Sequence, residues 1–533
     1  MWGASITTYG VGKSMNKLPA TRLRDLGAFG LAGFASAAVL FSLAQLLSAF
    51  LATASAPLVA VGSVFIDLTP PWLKDFAIAA FGTNDKVALF ISIGVVVAAA
   101  AVLLGILAGR SFAVAVACIS VLAMAIGSAV LSRPATGLVD LTPIILGAMA
   151  GLASLRWLAT LAARSRQSFS DSAPASGTSR RNFLLGTVLT LVGAAVATGV
   201  GNALSATRNL ADTARSALGL PVAKVPAKAP PADAQVEVAG MPQFITPNKD
   251  FYRIDTALSV PRINPSDWSL RVHGMVEREF TMGFEELLAL DLVENYLTLT
   301  CVSNPVGGQL VGNAKWLGYP LRKILERAVP TAGADMVLST SIDGFSASTP
   351  LDVLTDDRMA LLAIGMNGEP LPLEHGFPVR MVVPGLYGFV SATKWVVDLE
   401  VTRFADKAAY WTTRGWSDRG PIKLSSRVDV PRSFASVPAG KVIMGGTAWA
   451  QTRGISKVQV QIDDGDWTDA ELGAEASVDT WRQWRYEWDG GSSGNHTVSV
   501  RAVDGHGEVQ SREKADPVPN GASGWQRVQF SVE

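Results

Sequence analysis

"LTLTCVSNPVGGQLVGNAKWLGYPL", residues 297–321, opens as a β-rich run and then breaks. Its start continues "YLTLTCV", whose Thr, Val and Tyr content favours a strand over 296–302. Pro305, Gly307 and Gly308 interrupt regular structure just beyond. The strand therefore delivers Cys301 to a loop, where its thiol can project from a strand end. Residue type alone admits three roles for it. It is a small buried hydrophobe, a nucleophile whose basic partner only the fold can supply, or a soft metal ligand.

A second segment, "MNGEPLPLEHGFPVRMVVPGLYGFVSATKW" (366–395), sets His375, Arg380 and Lys394 around two glycine-containing turns. Cationic side chains converging on a loop with free backbone donors suit a phosphate. The same cations also suit solvated charges flanking a strand, and residue types do not choose between the two.

Composition narrows the classes. The 533 residues exceed one ordinary domain. Forty-five basic and 45 acidic residues cancel, which gives no reason to expect nucleic acid as a partner. Cys118 and Cys301 are the only cysteines, so a disulfide framework and any zinc or iron–sulfur site built from four cysteines are excluded. The four histidines (His273, His375, His496, His506) all follow residue 240. A bis-His haem in the hydrophobic half is thereby excluded, and without Cys-x-x-Cys-His so is a c-type haem.

Five runs, approximately 26–51, 87–108, 112–132, 138–162 and 183–204, are long and apolar enough to span a bilayer. They define a membrane domain over 1–205. Residues 53–85 are mixed: "PPWLKDF" suits an interface, and 54–66 suits a re-entrant or surface helix. Lys13, Lys17, Arg22 and Arg24 precede the first run, and Arg164, Arg166, Arg180 and Arg181 fill the loop before the fifth. The opposite loops hold only Lys74, Lys86 and Arg133. The positive-inside rule then puts the N-terminus in the cytoplasm and everything after residue 205 outside. "SRRNFL" (179–184) reads either as one more positive flank or as a twin-arginine export signal before the fifth span.

Residues 206–245, including "LPVAKVPAKAPPADAQ", read as a semi-extended Ala/Pro-rich linker. From 246 to 422 strand and helix signals alternate as in an α+β domain: "WSLRVHGMV" and "FPVRMVVPG" as strands, "FEELLAL" and "PLRKILERA" as helices. Over 423–533 only short strands between Gly/Asp/Asn turns remain, the pattern of an immunoglobulin-like β-sandwich without the disulfide.

"LTCVSNPVGG", "GNAKWLGYPL", "MNGEPLPLEHGFPVRMVVPG" and "SATKW", in this order and spacing, resemble the sulfite oxidase family of molybdopterin oxidoreductases. The resemblance covers about 246–420 and continues into the sandwich. It implies that Cys301 ligates molybdenum beside the dithiolene of a pterin. It also implies that His375, Arg380, Thr393 and Lys394 hold the pterin and its phosphate. "NKDFYRIDT" (248–256) matches the family's entry segment, which makes Tyr252, Arg253 and Asp255 pterin contacts. The expected cofactor is therefore molybdenum-molybdopterin (Mo-MPT), with no haem, iron–sulfur cluster or zinc. The resemblance implies that such a cofactor is inserted into folded protein in the cytoplasm, which favours the export reading of "SRRNFL".

The chain departs from sulfite oxidases in two places. Ser303-Asn304-Pro305 stands where they carry an arginine soon after the ligand cysteine, and Trp416 in "YWTTRGW" aligns with a tyrosine beside the metal. Loss of both charge and phenol argues against sulfite as substrate. Arg414 and Lys423 read as surface charges rather than pocket residues.

The expected function is a multi-pass cell-membrane oxidoreductase with its catalytic domain extracytoplasmic. Its expected partners are a small-molecule substrate, the lipid bilayer and a separate redox partner or quinone. A homodimer through the sandwich follows only by analogy. The competing reading is a cell-surface binding protein using this fold as scaffold. A transporter is disfavoured because the spans carry scarcely any charge.

Overall fold

The computed structural model describes residues 20–51, 56–70, 73, 80, 85–133, 136–167, 177–207, 210–490 and 493–533. The chain forms two compact units: Met1–Ser132 with Thr136–Thr207, and Arg133–Ala135 with Arg208–Glu533.

Among the described residues, the first unit has five helices long and apolar enough to cross a bilayer: Leu26–Ser48, Val87–Ala108, Phe112–Leu131, Leu138–Ser165 and Arg180–Leu204. They coincide with the five runs read from hydropathy. Pro57–Leu68 is a 12-residue helix, too short to span. Most of "PPWLKDF", together with Lys13, Lys17 and Lys74, lies outside the described residues. Close contact between such apolar helices depends on small residues that let backbones approach. A Cβ on Gly33 would run into the Ala101 carbonyl, and one on Gly105 into that of Phe29. A Cβ on Gly147 would sit 2.6 Å from the Leu40 carbonyl oxygen.

In the second unit the expected linker departs from a semi-extended chain at its start, where Leu210–Ala217 is a helix; the Pro-rich residues that follow, 218–231, have almost no regular structure and are pinned along the folded surface. Lys224 N–H donates to the Leu292 carbonyl (2.8 Å), and Val236 N–H to Gln483 Oε1 (2.8 Å). Ala234 and Val236 are buried. Composition shows how stiff such a stretch is but not which surface it meets.

Ten strands follow: β1 (Ser269–Gly274), β2 (Phe280–Gly283), β3 (Val293–Thr300), β4 (Val311–Pro320), β5 (Met336–Ser341), β6 (Ser346–Pro350), β7 (Leu361–Met366), β8 (Glu369–Pro370), β9 (Arg380–Val382) and β10 (Val396–Thr402). They make two sheets, ordered β2-β1-β10-β5-β6 and β3-β4-β7-β8, with β9 on β7. β1 and β10 pair in parallel across more than 120 residues of sequence, whereas β3 and β4 form the antiparallel arms of the Cys301 loop. The helices Phe284–Leu288 and Leu321–Ala328 fall where the sequence predicts. The latter buries Leu321, Ile324, Leu325 and Ala328, an i, i+3, i+4, i+7 stripe.

The C-terminal part is all strand: β11 (Ser425–Val430), β12 (Ser436–Val437), β13 (Lys441–Trp449), β14 (Ile455–Ile462), β15 (Trp467–Asp469), β16 (Glu471–Leu472), β17 (Arg482–Asp489), β18 (Gly494–Asp504) and β19 (Gln526–Val532). Two sheets, β11-β13-β17-β16 and β12-β19-β18-β14-β15, share one core. Val442, Met444 and Trp484 of the first pack with Val458, Val460, Val498, Val500 and Phe530 of the second.

Candidate functional site

Strand β3 carries Cys301 to its loop, and the segments just after β13 and just before β17 cover the strand's free edge. Thr298 Oγ1 accepts from Trp481 N–H (2.8 Å), and the Thr298 carbonyl from Gln451 Nε2 (3.0 Å). Covering an otherwise unpaired edge satisfies its backbone groups and fixes its register. Beyond β3, Cys301 N–H donates to the Leu310 carbonyl (2.9 Å), and Asn304 Oδ1 accepts from Leu310 N–H (2.9 Å). Arg427 of β11 reaches in to donate to the Gly308 carbonyl (2.9 Å) while paired with Asp429 at 2.8 Å. Both of those side chains are buried. Gly307, at φ +75°, lies so close to Gln526 that a Cβ there would sit 2.5 Å from its amide.

The Cys301 thiol is buried, and its hydrogen-bond partner is Ser303 Oγ at 2.9 Å, not an imidazole. Burial pushes the thiol up, opposed by the Ser303 hydrogen bonds. A nucleophilic cysteine needs the opposite shift, toward thiolate, from a basic partner.

Beside it lies a cationic cluster built from four segments. Arg380 is 5% exposed. Its hydrogen-bond acceptors are the carbonyls of Met381 (3.3 Å), His375 (3.0 Å) and Ala392 (3.4 Å), and its guanidinium lies over the Trp316 ring at 5.2 Å. No carboxylate pairs with it among the described residues. Burial lowers Arg380 to about 10, with Tyr252 opposing. Lys394 Nζ is bonded to Asp255 Oδ2 (2.8 Å) and to the Glu374 carbonyl (2.9 Å). Burial brings Lys394 down to about 8 against the pull of Asp255. Asp255 also pairs with the more exposed Arg253 at 2.8 Å. Thr393 is fully buried, its hydroxyl 2.7 Å from that of Ser339.

His375 Nε2 is 3.2 Å from the Asn248 carbonyl, which can only accept, so Nε2 carries the proton and Nδ1 is the acceptor. Phe251 packs edge-on against its ring (5.6 Å). Burial, then Arg380 and Lys394, lower His375 to about 4, opposed by Glu374 and the Asn248 carbonyl. The folded protein therefore keeps His375 neutral where the unfolded chain, titrating near 6.5, takes up a proton. Between those values the unfolded state binds more protons, so stability falls as pH falls. The metal-free protein should lose about 3 kcal/mol from this residue between pH 7 and pH 4. Urea unfolding of the full-length protein in detergent at pH 7, 5.5 and 4 tests this: His375→Gln should be the less acid-sensitive of the two.

The eight residues singled out in the sequence thus fall in one region, linked through Tyr252. Burial raises the Tyr252 phenol, a charge on Cys301 adds to the rise, and Arg380 opposes it. One residue was not singled out. Tyr387, between Pro384-Gly385 and the "SATKW" turn, is 4% exposed. Burial pushes its phenol up to about 12, opposed by the Lys423 N–H and reinforced by Cys301. Tyr252 and Tyr387 are thus two buried phenols whose titration a charge on Cys301 raises. Trp416 itself packs among Phe389 (5.9 Å) and Trp411 (6.1 Å). Arg414 stacks on Tyr410 at 3.6 Å. Lys423, read as a surface charge, is half-buried, with Nζ bonded to Asn520 Oδ1 (3.0 Å) and the Gly521 carbonyl (2.5 Å).

Residues 257–411 match the family described as oxidoreductase molybdopterin binding domain. The chain is 33% identical over 153 residues to the uncharacterized oxidoreductase YuiH of Bacillus subtilis, a match covering 29% of this chain and 74% of that one. It is 28% identical over 291 residues to mitochondrial sulfite oxidase of Rattus norvegicus, covering 45% and 52%. Among solved structures it resembles the sulfane dehydrogenase SoxCD from Paracoccus pantotrophus at 24% identity and a TM-score of 0.46, covering 55% and 81%. The chain belongs to the molybdopterin-binding oxidoreductase family, with a sulfite-oxidase-like domain. It spans about half the length of the rodent sulfite oxidases it matches.

Proposed function

We propose that the protein is a membrane-anchored Mo-MPT oxidoreductase in which Cys301 is the protein ligand to molybdenum, outside the cytoplasm. The observation that carries this reading is Arg380. A buried guanidinium bonded to carbonyls alone holds a charge that an incoming anion would balance, since removing an ion from water costs several kcal/mol when no partner compensates. The residues fit a pterin phosphate: Arg380 on β9 and Thr393 and Lys394 in the segment paired with it offer donors, and His375 offers its Nδ1 acceptor. Tyr252, Arg253 and Asp255 would add contacts to the pterin. Cys301 is the soft donor, buried and held by a loop pinned at both ends.

When bound, the cofactor supplies the two-electron chemistry. The chain's own part is to hold the thiol at a fixed strand end, to neutralise the cofactor's anionic tail and to exclude water. The absence of arginine at 303–305 supports a small-molecule substrate other than sulfite. The two C-terminal sheets we read as an immunoglobulin-like sandwich that stabilises the Cys301 loop through Arg427. The Gly177–Thr207 helix, with Arg180 and Arg181 near its start, serves in this reading as a twin-arginine signal-anchor. Electrons pass to a separate redox partner or to quinone.

Molybdenum and pterin content of the full-length protein purified from membranes tests the proposal. One molybdenum per chain is expected, with turnover in a substrate screen using artificial donors and acceptors. Protein that is folded, exported and free of molybdenum would instead support the cell-surface scaffold.

A further inference from the structure

Every carbonyl from Pro370 to His375 accepts a hydrogen bond, and the donors come from different parts of the chain. Arg215 donates through Nε to the Leu371 carbonyl (2.9 Å) and through Nη2 to that of Pro370 (3.0 Å). The Pro372 and Leu373 carbonyls close the turn itself, accepting from the N–H groups of His375 (3.0 Å) and Gly376 (3.2 Å). Trp395 Nε1 also donates to Leu373 (3.0 Å), Lys394 Nζ to Glu374 (2.9 Å) and Arg380 to His375 (3.0 Å). The turn that presents His375 is therefore gripped at its far end by the cationic cluster, and at its entrance by Arg215.

Arg215 lies on the helix Leu210–Ala217, which precedes the matched residues 257–411 in sequence. That helix is anchored elsewhere too. Ala211 is buried in one core with Leu371, Leu373, Phe377 and Trp316, the ring over which the Arg380 guanidinium lies. Asp212 pairs with Arg262 at 3.1 Å. Just beyond the helix, a Cβ on Gly365 of β7 would sit 2.9 Å from Leu220 Cδ1. Arg215 also pairs with Glu369 at 2.8 Å, but that carboxylate is mostly exposed and the ion pair contributes little. The two backbone carbonyls are the partners that matter, because a planar guanidinium spans both at once.

We propose that Leu210–Ala217 is a strap whose Arg215 positions the His375 turn, so that strap docking and cofactor binding favour one another. The inference rests on the reading of His375, Arg380 and Lys394 as the pterin-phosphate site. Arg215 is a positioning residue and acts through the backbone. It fixes 370–371, and with them the Glu374 and His375 carbonyls that orient Lys394 and Arg380. Loosening the entrance of the turn lets those two cations move with their acceptors. Linkage then works in both directions: a cofactor that holds the turn still also holds the strap.

The test uses full-length protein in detergent, made both in cells that supply the pterin cofactor and in cells that cannot. Wild type, Arg215→Met, Arg215→Lys and Glu369→Gln are compared by hydrogen–deuterium exchange and by molybdenum content after dialysis. In cofactor-free protein, Arg215→Met should speed exchange of the His375, Gly376 and Phe377 amides by about 10- to 100-fold, with β5 and β10 exchanging as in wild type. In loaded protein it should weaken molybdenum retention by about 5- to 100-fold, and bound cofactor should slow the strap amides 214–218 of wild type. Arg215→Lys keeps the charge without the planar fork, so it should show the same changes at smaller size even where Arg215→Met is not recovered folded. Glu369→Gln removes only the exposed ion pair and should change neither readout. Unchanged exchange at 375–377 in both Arg215 variants overturns the positioning role, whatever the metal content. Faster exchange there with wild-type molybdenum retention overturns the coupling to the cofactor, and an equal effect of Glu369→Gln overturns the role of the carbonyls. A wild type that takes up no molybdenum refutes the cofactor reading, while exchange at 375–377 still decides whether Arg215 holds the turn.

Discussion

Cys301→Ser should reduce turnover by at least ~10³-fold, equivalent to about 4 kcal/mol of barrier, while the protein remains folded. The three roles open to this cysteine separate cleanly under that substitution. As a small core hydrophobe, Cys301 would tolerate serine or alanine at a cost of about 1 kcal/mol in stability and none in activity. As a nucleophile it would need a basic partner, and its bonded neighbour is the neutral hydroxyl of Ser303. As a metal ligand it needs softness, which serine lacks although its shape is nearly the same. Activity against the best substrate of a screen is measured with molybdenum K-edge absorption on the same sample. Loss of one sulfur scatterer together with activity is the expected pairing. Full activity in Cys301→Ser would remove the residue from the centre, and the proposed function with it.

What the sequence disclosed and what it hid follow from distance along the chain. The five long apolar helices were legible because their length and hydropathy are written into consecutive residues. The strand before Cys301 and the turn after it were legible for the same reason: β propensity, proline and glycine act locally. The C-terminal strands were readable from alternation and turn residues, each within a dozen positions. Arg427 was not readable as a clamp, because the carbonyl it grips belongs to Gly308, 119 residues earlier. Tyr387 was not singled out, because Gly521, whose Cβ would crowd its hydroxyl, comes from a segment more than a hundred residues later. The pinning of 218–245 was hidden likewise, since alanine and proline report stiffness and not destination. The clustering of His375, Arg380 and Lys394 was half legible: their shared segment is local, whereas Asp255, which pairs with Lys394, lies 139 residues away.

That last pair yields an expected result with two opposite signs. Lys394 and Asp255 are 9% and 4% exposed at their side chains and 2.8 Å apart. Removing one member of a buried ion pair strands the other, so Lys394→Met should destabilise the metal-free protein by about 3–5 kcal/mol. Arg253 softens this loss, because it also reaches Asp255 from a more exposed position. Replacing both partners by apolar residues of similar size removes the desolvation penalty together with the attraction. Asp255→Leu/Lys394→Met should therefore regain most of the lost stability, a coupling of about 3 kcal/mol in a double-mutant cycle. Cofactor retention should not recover in parallel. If Lys394 also faces the pterin's anionic tail, the double variant keeps its fold yet holds molybdenum about 10- to 100-fold more weakly, the scale of a charge-assisted hydrogen bond. Urea unfolding reads the first quantity, and metal content after dialysis reads the second. A double variant that is stable and fully loaded would make the pair purely structural and leave the anion to Arg380 alone.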